Sequence, residues 1–465
     1  MAEEWPDTLA VNAWTGEEEP VADVSDKARG WAVRQQTDKV PQLLAPPPEV
    51  DLRDWRHAEV GWGLVLPENE QLSVADRAIA ADAPEPIREL LKAREGAPVF
   101  RYRPDLHNRF LRRYSTNQPP QDIAIAGSER GTGPGRLPWY LLLCGSPEVL
   151  PWDLQYVLNT AAYVGRLDLD EEGLAHYVSA LMNDWQDAAC RPEQPVVWTV
   201  DHGHPDITFL MRNAIAEPIA TALKGDSQIG DSLLRLAGKD ATVGSLIDAL
   251  ADRQPALVVT TSHGMTGPVA DPERMAAQLG FLVDHLRASL GPDELLARWQ
   301  PDGAIWYAHA CCSAGSDKRT RYKGLVKEGS PVEKTLEGVA ALGARVAPLP
   351  RKLLGAEKPL RAFVGHVEPT FNWTLQSPET GQILTSTIKK ALYNDLYSAK
   401  PVGMAFDRVY HHVGELLAQW KSAVDEVDQG TPGARVAALR SQLTALDRQS
   451  MVILGDPTAC IPPLE

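Results

Sequence analysis

Cysteine is scarce in this chain, and its few copies are badly placed for pairing. The 465 residues hold Cys144, Cys190, Cys311, Cys312 and Cys460, an odd number with no C-x-x-C spacing. That argues against a disulfide framework or a cysteine zinc site, and points to reduced thiols in a cytoplasm. Long apolar runs are also missing. No stretch reaches the roughly 18 apolar residues of a membrane-crossing helix. The opening MAEEWPDTLA has no basic segment followed by an apolar one, so no secretory leader is expected. Basic excess is absent as well: Lys and Arg number 46 against 62 Asp and Glu, a net charge of −16. Nucleic-acid binders carry a basic face, so nucleic acid is not an expected partner, and neither is a membrane.

What remains is an ordinary globular composition, 44% apolar, enough for a proper core. At roughly 100–200 residues per domain the length allows two to four domains. Residues 1–50 are acidic and rich in proline (EEEP, APPPEVD) and read as an extension. Beyond them, apolar runs alternate with helical patterns. GWGLVLP (61–67), VFRYR (99–103) and WYLLLCG (139–145) read as strands, and PEPIRELLKAREG (84–96) as a helix closed by glycine. A second series follows near residue 190: strands PVVWTV (195–200), PALVVTTSHG (255–264), AIWYAHACCSAGS (304–316) and RAFVGHVEP (361–369). Helices are expected between them, including one over ERMAAQLGFLVDHLRASLG (273–291), and the chain closes with MVILGDPTACIPPL. This alternation predicts an α/β fold with a mainly parallel sheet, in two successive halves, 51–190 and 191–465.

Two strand ends carry chemistry. SHG (262–264) and ACCS (310–313) each close an apolar run, and open α/β sheets bind ligands at the carboxyl ends of their strands. If those strands are neighbours, His263 faces Cys311 or Cys312. An imidazole beside a thiol promotes the nucleophilic thiolate. The N–H groups of Gly264 and of the cysteine are then candidate oxyanion donors. The residues alone leave two readings open, an acyl-transfer site or a pair of core residues, since free cysteine is commonly buried.

The motifs themselves carry a resemblance. TTSHGMTG resembles the histidine motif of the caspase-like cysteine peptidases, and AHACCSAG resembles their A-C-x-S-x-G nucleophile motif, especially in the CHAT and gingipain-like families. VILGDPT is similar to the G-D-P tail of those two families. WYLLLCGSPEVLPWDLQYVLNTAAYVGRLDL looks like a segment of the non-catalytic subdomain that precedes the gingipain-type catalytic domain. The resemblance covers roughly residues 139–465. It implies a caspase-like (caspase-hemoglobinase) fold over 191–465, a smaller non-catalytic α/β subdomain over 51–190, and a cysteine endopeptidase with no cofactor and no metal. The A-C-x-S register places the nucleophile at Cys311, with His263 as general base and acid and the amides of Gly264 and Cys311 as oxyanion hole.

Cys312 then falls on the variable position, and strand alternation sends its side chain to the far side. A vicinal disulfide is disfavoured by geometry, and a zinc site of His309, Cys311 and Cys312 lacks four well-spaced ligands. His309 reads as a packed core histidine, His202 and His204 as the rim of a cleft, and His411 and His412 as surface or packing residues of a helix.

In this clan the residue before the scissile bond enters a pocket beside the nucleophile. The matching places here hold Asp201 and Glu368, so the resemblance implies cleavage after Arg or Lys. Asp201 is equally placed to cap a helix, and Glu368 to be paired internally. The basic stretch SDKRTRYKGLVKEG (316–329) reads as a solvated loop, or as an activation loop cut after Arg319 or Arg321. Expected partners are a protein substrate and an activator or regulatory protein, in a bacterial defence or signalling setting. The competing reading is a non-catalytic caspase-fold scaffold; a third is another acyl transfer, such as transpeptidation.

Overall fold

The computed structural model describes residues 8–10, 21–23, 50–377 and 380–464. The chain divides into two compact units, residues 1–46 with 417–442, and residues 47–416 with 443–465. In the first, Thr8–Ala10 pairs antiparallel with Val21–Asp23, and residues 417–442 are largely helical. The rest of the acidic extension expected over 1–50 lies outside the described residues, apart from Val50.

The second unit is built on one twelve-stranded sheet. Its strands in chain order are β1 (Trp62–Pro67), β2 (Val99–Tyr102), β3 (Phe110–Arg113), β4 (Gln121–Ala124), β5 (Tyr140–Cys144) and β6 (Tyr163–Leu167). They continue with β7 (Val196–Thr199), β8 (Leu234–Ala237), β9 (Leu257–Thr261), β10 (Ile305–His309), β11 (Ala362–His366) and β12 (Met451–Gly455). The spatial order is β8-β7-β9-β10-β11-β12-β6-β5-β1-β2-β3-β4. Neighbours run parallel except β11 with β12, β2 with β3 and β3 with β4. The closing strand β12 is the seam: it pairs antiparallel with β11 of the second half and parallel with β6 of the first. The fold is therefore α/β with a mainly parallel sheet, and the two halves share it.

The central strands are buried along their whole length, as expected where helices cover both faces of a parallel sheet. Alternate side chains feed opposite cores. Trp62, Leu142, Trp198, Val258, Trp306, Phe363 and Leu454 enter one core that runs under both halves. On the other face Val197, Val259, Tyr307, Val364 and Ile453 form one cluster, and Val65, Leu141, Leu143 and Val164 another.

The helix expected over 273–291 is not there. A short helix covers Pro272–Ala277, and Leu282–Val283 then pairs antiparallel with His263–Gly264. Gly280 ends the helical path. Its φ is +71°, and a side-chain carbon there would meet the Cys312 carbonyl oxygen at 2.1 Å. The Asp284 carboxylate then accepts the N–H groups of Leu286 and Ala288, closing a turn instead of a helix. Among the described residues, no helix is long and apolar enough to cross a membrane.

Candidate active site

Strand register sets the site. Thr261 of β9 and His309 of β10 are the last paired residues of two adjacent parallel strands, and the Ser262 N–H donates to the His309 carbonyl at 3.3 Å. His263 and Cys311 lie the same two residues beyond that pair. They therefore emerge side by side at the carboxyl edge of the sheet, on chains about 4.8 Å apart at the last rung. Gly264 closes the gap: a side-chain carbon there would fall 1.9 Å from the Cys311 carbonyl oxygen, so only glycine permits the approach.

Cys311 and Cys312 occupy the middle of a tight turn, closed by the Ser313 N–H to the Ala310 carbonyl at 3.3 Å. Cys312 has φ +56°, the left-handed conformation that costs a non-glycine residue about 1 kcal/mol. Its surroundings hold it there. The Cys312 N–H donates to the Glu368 carbonyl at 3.4 Å, and Gly280 packs against the Cys312 carbonyl. The Ser313 hydroxyl donates to the Ala308 carbonyl at 3.0 Å and accepts the His366 N–H at 3.1 Å, tying the turn to β10 and β11. The serine of A-C-x-S is thus a fastener for the turn.

The turn sends its two thiols apart. Cys312 is fully buried among Met275, Leu279, Val339 and Leu342, and burial holds its thiol well above the ordinary range. Cys311 keeps some exposure, and its Sγ accepts the Thr370 N–H at 3.4 Å. Burial pushes this thiol up too, and the Thr370 N–H and hydroxyl act against that rise. At rest Cys311 is a neutral thiol.

Behind His263 stands a group the sequence reading missed. Both oxygens of Asp206 lie 3.1 Å from Nε2 of His263. Asp206 caps the helix that begins at Ile207, accepting the Thr208 N–H at 2.9 Å and its hydroxyl at 2.6 Å. Partial burial draws the Asp206 carboxyl up, but the hydrogen bonds from Thr208 and His263 outweigh it and hold it at about 2. An ionised Asp206 keeps the proton of His263 on Nε2 and leaves Nδ1 as the basic nitrogen. The His202 ring stacks between His263 and His285, with centroids 6.1 and 5.4 Å away. Burial and the nearby Arg287 hold His202 below the ordinary histidine value.

His309 lies in the core beneath the site. Its Nδ1 is 2.9 Å from the Tyr307 hydroxyl, its ring meets His366 edge-on at 4.7 Å, and burial keeps it neutral. His411 and His412 are exposed on the helix that starts at Asp407, and pair with Asp407 and Glu415. Among the described residues, no cluster of three or more His, Cys, Asp or Glu is arranged to hold a metal ion.

The two carboxylates singled out for a basic substrate residue both carry arginines of the chain itself. Asp201 accepts the Gly203 N–H at 2.8 Å and binds Arg212 at 2.5 Å, which also binds Glu217. Glu368 is buried and binds Arg321: Oε1 accepts its backbone N–H at 3.3 Å, and Oε2 lies 3.4 Å from Nε. The same guanidinium covers the Tyr156 ring at 4.3 Å and donates to Gln449 at 2.5 Å. Burial raises the Glu368 carboxyl to about 7, with Arg321 opposing. Two expected site residues, Glu368 and Arg321, are thus brought together. Arg319 stays exposed on the same loop.

A cavity of about 390 Å³ adjoins the site, running from His204–Leu210 on one side to Thr370–Gln376 on the other. No protein-family model matches the chain, and a search of curated proteins returns no match.

Proposed function

We propose that the chain is a cysteine endopeptidase of the caspase and gingipain-like type, with Cys311 as nucleophile and His263 as general base and acid. The observation that supports this reading is that the strands leading to His263 and Cys311 are adjacent and parallel, ending on the pair Thr261–His309, with Asp206 behind the imidazole and Gly264 against the Cys311 backbone. In the first step the Cys311 thiol gives its proton to Nδ1 of His263, and the thiolate attacks the scissile carbonyl carbon. The developing oxyanion takes the N–H groups of Cys311 and Gly264. The C–N bond then breaks, and the amine leaves with the proton held by His263. His263 next takes a proton from water as the hydroxyl attacks the thioester, and Cys311 recovers its proton as the acid product departs. Asp206 is a positioning residue that fixes the tautomer and stabilises the imidazolium.

The preference proposed is cleavage after Arg or Lys. Glu368, Tyr156 and Gln449 already surround a guanidinium, and a carboxylate and an aromatic face at that place support a preference for a basic residue. The occupant belongs to the chain, so the enzyme is latent. Activation requires Arg321 to withdraw, through cleavage of the 316–329 loop after Arg319 or Arg321 or through an activator protein. A cytoplasmic bacterial defence or signalling pathway is the setting proposed. One observation favours a second reading, a non-catalytic scaffold: the acid beside the cysteine turn is already filled by Arg321 of the same chain. Hydrolysis of fluorogenic peptides ending in Arg, Lys, Asp or Leu, by wild type, by Arg321→Ala and by Arg321→Ala combined with Cys311→Ala, separates the two.

A further inference from the structure

The 390 Å³ cavity beside the site has no role in the chemistry above, yet its walls begin at the two residues that hold the reacting pair. Asp206, the partner of His263, opens one wall, and Thr370, the partner of the Cys311 thiol, opens the other. Its size falls at the lower end of the roughly 300–1,000 Å³ range of ligand clefts, room for one large side chain. Half of its lining is apolar and half polar. Ile207, Phe209, Leu210 and Phe371 face it, and His204 meets Phe209 edge-on. Two amides also line it, but each is engaged: Asn372 Oδ1 accepts the Trp373 N–H at 3.1 Å, and Gln376 donates to the Gly381 carbonyl at 2.8 Å. The one carboxylate, Asp206, is committed to His263 and Thr208. An anionic side chain entering here would meet the ionised Asp206, and a cationic one would compete with His263 and Thr208 for it, whereas an apolar side chain gains by the area it buries against Ile207, Phe209, Leu210 and Phe371. Phe209 is 38% exposed, a large apolar side chain left partly in water at this cavity.

We propose that this cavity is a substrate subsite for a large uncharged side chain, aromatic or branched aliphatic, on the peptide that also carries the basic residue. The assignment rests on the peptidase reading, since it is the Cys311–His263 pair that makes this edge a peptide site. The enzyme then reads two features of one peptide: a cation through Glu368 and an apolar group through Phe209 and Leu210.

The test is binding of dye-labelled peptides to full-length protein carrying both Cys311→Ser and Arg321→Ala, in which Glu368 is free of its own-chain arginine, followed by fluorescence anisotropy. Each peptide carries one arginine in a glycine-serine background, and one phenylalanine is moved through the positions on either side of it. One phenylalanine position should bind about tenfold more tightly than the phenylalanine-free peptide. Phe209→Asp should abolish that gain, and a cooperative unfolding transition shows that the variant stays folded. Equal affinity for all peptides, or a gain that survives Phe209→Asp, overturns the proposal. The two readings fail separately. Selective binding to the double variant with no hydrolysis by folded Arg321→Ala protein sinks the peptidase and keeps the subsite. Hydrolysis indifferent to the phenylalanine keeps the peptidase and sinks the subsite.

Discussion

The guanidinium of Arg321 lies on the carboxylate of Glu368, with Nε 3.4 Å from Oε2 and the backbone N–H of the same arginine 3.3 Å from Oε1. Glu368 is in turn bonded through its carbonyl to the N–H of Cys312, the residue next to the proposed nucleophile. A loop arginine therefore occupies an acid held one residue from the reacting thiol.

Arg321→Ala should release that acid. The expected result is at least a tenfold rise in cleavage of arginine peptides per folded molecule, with a loss of about 3–5 kcal/mol in stability because a buried carboxylate loses its partner. Arg321→Lys keeps a charge but not the stacked fork over Tyr156, and should fall between the two. Initial rates and urea unfolding of the three proteins check this.

The same pair makes stability depend on pH. Burial raises the folded Glu368 carboxyl to about 7, above its ordinary value of 4.5. The folded state thus binds this proton more tightly. The associated stability is full below pH 4.5 and is lost as pH rises through 7, a loss on the order of 3 kcal/mol. Glu368→Gln should lack this component. Urea titrations at pH 5 and pH 8 should give a larger drop for wild type than for Glu368→Gln.

Asp206→Asn should lower kcat for arginine peptides by about 10²–10⁴-fold, since a neutral amide no longer fixes the histidine tautomer. Asparagine caps helices as well as aspartate does, so stability should change by less than about 1 kcal/mol. The contrast between kcat and unfolding midpoint separates positioning from folding.

Thiol chemistry should separate the adjacent cysteines. Iodoacetamide should modify Cys311 in the folded protein and leave Cys312 untouched, and His263→Ala should slow the reaction at Cys311. Cys312→Ala should retain activity and lose about 1 kcal/mol from the cavity left among Met275, Leu279, Val339 and Leu342. Mass spectrometry of the peptides reports both sites.

Sequence patterns reveal what depends on neighbours in the chain. The apolar runs that became β1, β5, β9, β10 and β11 are continuous, and SHG and ACCS stand at the ends of β9 and β10, so the α/β class and the adjacency of those two strand ends were legible. Asp206 was not: it reads as a helix cap in PDIT, and its hydrogen bond to His263 spans 57 residues of chain. Thr370 was hidden likewise, as were the ion pairs of Asp201 and Glu368, which depend on where arginines return in space. The helix expected over 273–291 failed because an apolar spacing suited to a helix says nothing of Gly280 being pressed against the Cys312 carbonyl.

The most direct test is hydrolysis of a fluorogenic arginine peptide by four proteins side by side: wild type, Arg321→Ala, and Arg321→Ala combined with Cys311→Ala or with Cys312→Ala. The account predicts slow cleavage by wild type, fast cleavage by Arg321→Ala and by its Cys312→Ala derivative, and none with Cys311→Ala. Folded Arg321→Ala protein that cleaves no arginine peptide, or cleavage that survives Cys311→Ala, would contradict it.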